Sequence, residues 1–472
     1  MFNGLLNIEK IIFITSIILG AVTIFILPYM WIGIVILLVI IAFMIWGEKY
    51  LIPLFIIAYL VVTSDMSENL RAVVNIGGFI ILIYKFIKEY GFDFAIYKRV
   101  PKTVRHLIAY IMLSMFASSV FSEQIFTSLI EVLRLAAFFI LMYIFYSFLR
   151  DTQEAIIYLN SLVKAGIILS LAIIFFFLSS NEKILTLEAQ GLIHEGGYLK
   201  NVAAAGGIFA VTIPFNLAAF YLERFNGNKI KIALACALIL QTTALLLTNS
   251  RAAFLALFIS AVFLLMKFNK ALFKKIIYSI TGLFVLIVLS FPKIIEIISV
   301  FLRADRIIEN TRYYLWDIAF GIIKDNPVFG CGPGMFKYYI YKYLPVMLGS
   351  WDESQINRVY REAGAGHAHN FLLYRTSEGG LLGLMGAVAL IGMFFYLSQK
   401  VLDRVKHDKD WLIILTTIIA SGLGLVVRSL FESTGLLTNG WITRDLPFWI
   451  LFIIVIFLYQ KLVISKKSIE EF

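Results

Sequence analysis

The sequence predicts an all-α polytopic membrane protein, and three observations support this fold class. Of the 472 residues, 61% are hydrophobic and only 15% are charged, so apolar side chains must cover the surface as well as fill the interior. Apolar runs recur from end to end, and helices satisfy their own backbone hydrogen bonds in lipid. The net charge of +11 is concentrated in short loops, which indicates contact with anionic membrane lipid rather than with nucleic acid.

The apolar runs predict about 14 transmembrane helices. Several runs are shorter than the roughly 20 residues that cross a bilayer without tilt, so twelve spans is the alternative. The weakest run, 51–63, also fits half of a re-entrant pair. The predicted spans are 8–27, 30–46, 51–63, 72–88, 107–121, 129–149, 161–180, 202–222, 232–248, 252–266, 276–291, 370–397, 411–427 and 447–461.

The distribution of lysine and arginine predicts the orientation. Basic clusters fall in alternate loops and in the C-terminal tail, so we expect both termini in the cytoplasm and the long polar segment 292–369 outside. This gives four regions along the chain. They are an N-terminal transmembrane bundle (1–201), further transmembrane helices (202–291), an extracytoplasmic helical loop domain (292–369) and C-terminal transmembrane helices (370–472).

The long segment is rich in aromatic residues, which indicates a folded structure rather than a flexible linker. We predict amphipathic helices over Ile295–Arg303 and Tyr313–Lys324 on the membrane face. Asn326–Pro327 and Gly330–Gly334 are typical turn sequences. The aromatic side chains fit either interfacial anchors or stacking platforms for sugar rings.

A first candidate site residue is Arg251, which follows Asn249 and Ser250 with almost no loop between two apolar runs. We expect Asn249 or Ser250 to cap the second helix. The helix start then presents free backbone N–H groups and a partial positive charge beside the guanidinium group. This combination favours an anion, although an arginine at this position also fits simple snorkelling to the interface.

Arg312 is the second candidate, at the start of the predicted Tyr313–Lys324 helix. A cation there is disfavoured by the helix dipole, which indicates that Arg312 interacts with another group, such as a ligand phosphate. Ion pairing with Asp317 or Glu309 is the alternative interpretation.

The third candidate is His369, where the polar segment meets the apolar run that begins at Asn370. Histidine exchanges a proton near neutral pH. The helix start favours the neutral ring, which is the form that a general base needs. The alternative is an interfacial histidine without a chemical role, and His367 is a helper or a loop residue.

Other charged residues are candidates by location alone. Arg375 and Glu378 are predicted one to three turns into the membrane on one helix, where they face a cavity or pair with each other. Arg428 and Glu432 form a similar set after the next span, and Lys200 marks another outer edge. No Asp-x-Asp pair, acidic trio or His/Cys cluster has metal-ligand spacing on the predicted outer side, and Asp65 and Glu68 in one outer loop are only a weak metal signal, so we predict neither a metal nor a cofactor.

Three motifs resemble the O-antigen ligase and O-antigen polymerase superfamily. The resemblance covers roughly Ala203–Leu397 and follows the family's order of arginine, long extracytoplasmic loop and histidine. Ala252 stands where the family commonly has glycine. The motifs are Asn249–Ala252, Arg312–Trp316 followed by Asn326–Phe336, and His369–Leu373 with Glu378–Gly383.

The resemblance implies a metal-independent, inverting glycosyltransferase of the GT-C type in the bacterial inner membrane. Its partners would be an undecaprenyl-diphosphate-linked glycan donor and an acceptor sugar on lipid A–core or on another glycan, in a site facing the periplasm. By position, Arg251 and Arg312 would bind the diphosphate and His369 would activate the acceptor hydroxyl. The positional candidates for helping residues are His367, Asn370, Arg375, Arg428 and Lys200.

Several functions remain open at this point. An O-antigen ligase is the preferred interpretation, followed by an O-antigen or exopolysaccharide polymerase and a protein O-oligosaccharyltransferase. A flippase for lipid-linked glycans is the alternative from another class. It is less favoured, because transporters commonly show repeats and midplane polar groups, whereas here the polar groups gather at one boundary.

Overall fold

The computed structural model describes residues 51–62, 68–91, 99–179, 202–222, 228–248, 250–271, 273–275, 278–279, 311–343, 367–439 and 442–465. Thirteen α-helices account for most of these residues. They are α1 (Leu51–Val62), α2 (Glu68–Tyr90), α3 (Lys102–Val120), α4 (Ile125–Ser147), α5 (Thr152–Ser179), α6 (Val202–Leu222), α7 (Asn228–Thr248), α8 (Arg251–Phe268), α9 (Thr311–Asp325), α10 (Phe336–Tyr343), α11 (Phe371–Arg404), α12 (Lys409–Ser429) and α13 (Ile442–Leu458), which continues as a π-helix over Tyr459–Ile464.

Nine helices in the described ranges, α3–α8 and α11–α13, are long and apolar enough to cross a membrane. The predicted class, a polytopic α-helical membrane protein, is therefore confirmed. The total of 14 spans stays a prediction, because segments 8–27, 30–46 and most of 276–291 lie outside the described residues. Helix α1 has 12 residues, which is too few to cross a bilayer alone.

Helix α13 lies at the centre of the bundle. After its first turn it is apolar on every side, which is typical of a helix that is buried all round, and nearly all of its side chains are inaccessible to solvent. Its Phe448 packs on Phe394 of α11, with ring centroids 5.1 Å apart. Trp449 donates a hydrogen bond from Nε1 to the Leu436 carbonyl at 2.7 Å. The central helix thus holds the connection between α12 and α13, which also carries Glu432.

Helix α11 is broken at Gly380. This residue has φ 61° and ψ −155° inside an element of 34 residues, a backbone conformation that only glycine adopts readily. A straight helix of that length would measure about 51 Å, whereas the apolar core of a bilayer is about 30 Å thick. The break therefore separates a short segment, Phe371–Gly379, from a part that is long enough to cross the membrane by itself.

The connection between α9 and α10 inserts into this break. We call Asn326–Gly334 the Gly-Pro turn. Its backbone N–H groups at Cys331 and Gly332 donate to the carbonyls of Ser377 and Glu378, each at 2.9 Å. In return, the N–H of Leu381 donates to the Pro327 carbonyl at 2.8 Å. The turn thus replaces helical hydrogen bonds that the break removes.

The short segment of α11 carries two charged residues, Arg375 and Glu378, which both precede Gly380. The Ser118 hydroxyl, near the end of α3, donates to the Glu378 carbonyl at 2.6 Å. The depth of these two residues in the membrane stays a prediction.

Helix α9 matches the helix predicted over Tyr313–Lys324 and extends it by one or two residues at each end. It packs with α10 around a small apolar core of its own, which confirms that the long segment is folded here. The predicted helix Ile295–Arg303 lies outside the described residues. The members of the core include Leu315, Ile318, Ala319, Ile322, Met335, Phe336, Ile340, Ala368 and Tyr374.

Candidate functional site

Arg251 is the first residue of α8, as the sequence predicted, and Ser250 is the capping residue. The Ser250 side chain makes no capping hydrogen bond, so the first N–H groups of the helix are not satisfied by it. Ser250 also packs closely against α6. Gly206 of α6 makes room for it, because a Cβ at position 206 would lie 2.9 Å from the Ser250 Cβ. The Arg251 side chain is exposed, and its charge interacts with that of Arg312.

Glu432 joins Arg312 and His369. Its Oε1 accepts a hydrogen bond from Arg312 Nη2 at 3.1 Å, and its Oε2 lies 3.2 Å from His369 Nδ1. The Glu432 side chain is buried, whereas those of Arg312 and His369 keep 27% and 25% of their surface accessible. The carboxylate is therefore an internal bridge, and the cation and the imidazole face the accessible side.

The surroundings of Glu432 keep it ionised. Burial alone would raise the pKa of this carboxyl, but the hydrogen bond and charge of His369 and the charges of Arg428 and Arg312 lower the pKa to about 2. Because this value lies below the ordinary 4.5 of an unfolded chain, the interaction stabilises the fold above about pH 4.5. That stabilisation is lost as the pH falls towards 2.

An ionised Glu432 also selects one tautomer of His369. A carboxylate only accepts hydrogen bonds, so Nδ1 must carry the proton that points at Oε2. The other ring nitrogen, Nε2, is then left as the proton acceptor. This arrangement of a carboxylate, an oriented imidazole and an available nitrogen is the one that a general base requires.

Arg428 lies close to the cluster formed by Arg312, Glu432 and His369, and its charge acts on Glu432. Its side chain is 2% exposed, and Nη1 donates to the Thr434 carbonyl at 2.9 Å. A Cβ at Gly207 of α6 would lie 3.0 Å from its Cζ, so this glycine makes room for the guanidinium group. Arg428 thus fixes the loop that carries Glu432 and adds positive charge from within the protein.

His367 lies two residues before His369, and the charges of the two rings interact. The ring is buried and meets Tyr374 edge-to-face, with centroids 5.3 Å apart. Burial, followed by the charges of Arg444 and His369, lowers the pKa of His367 to about 3. It is therefore neutral at physiological pH, and a stabilising aromatic contact is its observed role.

The remaining sequence candidates have different places. Asn370 caps α11, because its Oδ1 accepts from the Leu373 N–H at 3.0 Å, and its Nδ2 donates to the Leu430 carbonyl at 3.1 Å. Arg375 donates to Asn439 Oδ1 at 2.8 Å and belongs to a separate buried network. Lys200 lies outside the described residues.

Sequence reasoning noted Glu432 only beside Arg428 and gave it no role. Its partners His369 and Arg312 are 63 and 120 residues away along the chain, so no local spacing could reveal the bridge. Arg312 forms an ion pair with Glu432; of the two partners considered from the sequence, Asp317 and Glu309, the latter lies outside the described residues. In the described part of the chain, no three His, Cys, Asp or Glu side chains are grouped closely enough to hold a metal ion.

The fold and this cluster define a polytopic helical membrane protein with arginine, glutamate and histidine side chains gathered where its membrane-crossing helices end. Residues 236–388 match the family model Wzy_C, which is described as O-antigen ligase. The matched region contains Arg251, Arg312 and His369, and it confirms the resemblance to the O-antigen ligase and polymerase superfamily that the sequence predicted. No curated protein matches the chain.

Proposed function

We propose that the protein is a metal-independent, inverting glycosyltransferase of the GT-C type that moves a glycan from undecaprenyl diphosphate to an acceptor sugar. The proposed acceptor is lipid A–core, as in O-antigen ligation, and the proposed site faces the periplasm of the inner membrane. The observation that carries the proposal is the hydrogen-bonded series His369–Glu432–Arg312, with Arg251 beside it. The family match, which includes Arg251, Arg312 and His369 but ends before Glu432, supports it.

In this proposal His369 is the general base. The acceptor hydroxyl forms a bond from its oxygen to the anomeric carbon of the donor, and its proton passes to Nε2. The bond from that carbon to the phosphate oxygen breaks, and the diphosphate leaves with the electron pair. The ionised Glu432 stabilises the imidazolium that results, because it lies 3.2 Å from Nδ1.

Arg251 and Arg312 are the proposed partners of the diphosphate. Charge develops on the phosphate oxygens as the bond breaks, and fixed cations near those oxygens lower the barrier. Arginine suits this task because its planar donors match phosphate oxygens in pairs. The exposed side chain of Arg251 lies at the start of α8, where the Ser250 side chain makes no capping hydrogen bond to the backbone N–H groups, and such a helix start favours an anion.

The proposal is tested with the purified full-length protein in lipid bilayers. Undecaprenyl-diphosphate-linked donor is offered with lipid A–core or alone, in buffer with a metal chelator. Transfer to lipid A–core in the presence of chelator is the expected result. A ladder of products formed from donor alone would identify a polymerase, and transfer that requires added Mg²⁺ would contradict the metal-independent mechanism.

Arg251→Ala is expected to lower the transfer rate about 100-fold, because a donor to a developing phosphate charge contributes on this scale. Lys267→Ala is the matched control, since Lys267 is a cation near the other end of the same helix. It should leave the rate within a factor of two of the wild-type protein. Equal rates for both variants would remove Arg251 from the proposed diphosphate site.

Glu432→Gln is expected to lower the transfer rate about tenfold, because the neutral amide no longer offers the imidazolium a counter-charge and no longer selects the Nδ1-protonated tautomer. Glu432 itself stays ionised at neutral pH, since its pKa is about 2. The measurement is the initial rate of transfer by the purified variant at neutral pH. An unchanged rate would show that the 3.2 Å contact with His369 has no role in proton transfer.

A further inference from the structure

Four buried polar side chains form a second network beside the cluster, and we call this network the Asn439 strut. Asn439 Oδ1 accepts from Arg375 Nη1 at 2.8 Å. Asn439 Nδ2 donates to Glu378 Oε2 at 2.8 Å and to the Tyr374 hydroxyl at 2.9 Å. All four side chains are at most 2% exposed. A buried polar group that loses its partner costs free energy, so such a network is specific in geometry.

The strut joins three segments of the chain. Tyr374, Arg375 and Glu378 belong to the short segment of α11 before the break, and Asn439 belongs to the connection between α12 and α13. The Gly-Pro turn is the third segment, because the N–H of Gly334 donates to Glu378 Oε1 at 2.8 Å. Asn439 itself has a positive φ of 34°, so its backbone adopts a conformation that is uncommon outside glycine.

Each of these three segments also supplies one member of the candidate site. His369 stands directly before the short segment of α11, and Glu432 lies in the same connection as Asn439. Arg312 is on α9, which leads directly into the Gly-Pro turn. The strut is therefore placed where it sets the spacing between the proposed base, its carboxylate and a proposed phosphate-binding cation.

We propose that Glu378 and Asn439 are positioning residues for glycan transfer, and that they act by holding the His369, Glu432 and Arg312 segments in one fixed arrangement. This inference rests on the proposed function. Neither residue touches the reacting groups in this scheme. Catalysis depends steeply on such spacing, because a displacement of about 1 Å can reduce a rate about 100-fold.

A reciprocal exchange tests this role. In the Glu378→Gln variant, the new amide group faces the amide of Asn439, so two donors oppose each other. In Asn439→Asp, two carboxylates meet at the 2.8 Å contact. The double variant Glu378→Gln/Asn439→Asp restores one donor and one acceptor. Arg375 keeps an oxygen to bind, the N–H of Gly334 keeps a carbonyl oxygen, and the Tyr374 hydroxyl can donate to whichever residue is the carboxylate.

Each single variant is expected to lower kcat at least tenfold, with KM for the donor changed by less than about threefold. The double variant should recover kcat to within about threefold of the wild-type protein. A residue that only stabilises the fold would lower the amount of active protein and leave the kcat of the folded fraction unchanged. That outcome, or a folded double variant as slow as the single ones, would overturn the proposal.

A distance measurement keeps the test independent of enzymatic activity. Spin labels are placed at Asp317→Cys on α9 and Leu430→Cys beside the Glu432 loop, in full-length protein with Cys236→Ser; both label positions are exposed. The distance distribution should broaden in each single variant and narrow again in the double variant. If the strut sets this distance but the wild-type protein transfers no glycan, the proposed function fails and the strut stands. If transfer occurs and the distribution is the same in all four proteins, the strut fails alone.

Discussion

His369→Ala is expected to reduce glycan transfer by about 100- to 10,000-fold, the range that a positioned general base contributes. The imidazole is the only group in the series His369–Glu432–Arg312 that can accept a proton at neutral pH, because Glu432 is ionised with a low pKa and arginine stays protonated. The measurement is the initial rate of transfer from lipid-linked donor by the purified variant. The affinity for the lipid-linked donor should change little, because the variant keeps Arg251 and Arg312, the proposed diphosphate-binding residues.

His407→Ala is the matched control for this substitution. His407 is an exposed histidine just past the opposite end of α11, so its loss should leave transfer within a factor of two. The folded state of both variants is checked by their thermal unfolding. Normal surface polysaccharide in cells that carry only the His369→Ala protein would exclude the imidazole as the base.

Gly380→Ala is expected to produce the largest loss of stability among single substitutions, on the order of 3 kcal/mol or more. The added Cβ would lie 2.2 Å from the carbonyl carbon and oxygen of Val328, and alanine at φ 61° and ψ −155° is strained whatever the space. Neither the turn nor the helix can yield, because both are held by backbone hydrogen bonds. The readout is the midpoint of thermal unfolding in detergent.

Gly392→Ala provides a control within the same helix. A Cβ at Gly392 meets no atom within 4 Å, and alanine is the better helix former by about 1 kcal/mol. This variant should be as stable as the wild-type protein or slightly more so. If Gly380→Ala unfolds at the same temperature as Gly392→Ala, the exchange of hydrogen bonds at the break does not stabilise the fold.

The sequence predicted the parts of this molecule that depend on local pattern. Continuous apolar runs identified the helices that are long enough to cross a membrane, and the short loop around Ser250 identified the start of α8. The change from polar to apolar residues at Asn370 likewise identified the start of α11 beside His369. In each case a physical rule that acts within a few residues, such as capping or hydropathy, decides the structure.

The parts that the sequence did not predict depend on distant segments. Gly379-Gly380 was visible as a motif, but its φ/ψ values are set by the Gly-Pro turn, which comes about 50 residues earlier in the chain. Arg375 and Glu378 were predicted to face a cavity or to pair with each other. Instead, Asn439 lies between them and binds both. The hydrogen bonds of Glu432 with His369 and Arg312 were missed for the same reason. Tertiary packing brings together residues that share no local pattern.

The insertion of the Gly-Pro turn into α11 bears on how the chain assembles during synthesis. Residues 326–334 leave the ribosome before residues 371–404. The turn therefore lacks its hydrogen-bond partners in α11 until that helix has been synthesised and has entered the bilayer. Only then can the N–H groups of Cys331 and Gly332 and the carbonyl of Pro327 be paired. A nascent chain that stops before α11 therefore carries Arg251, Arg312 and His369 but lacks Glu432, which joins Arg312 to His369. The candidate site is therefore complete only after the carboxyl-terminal helices have been integrated.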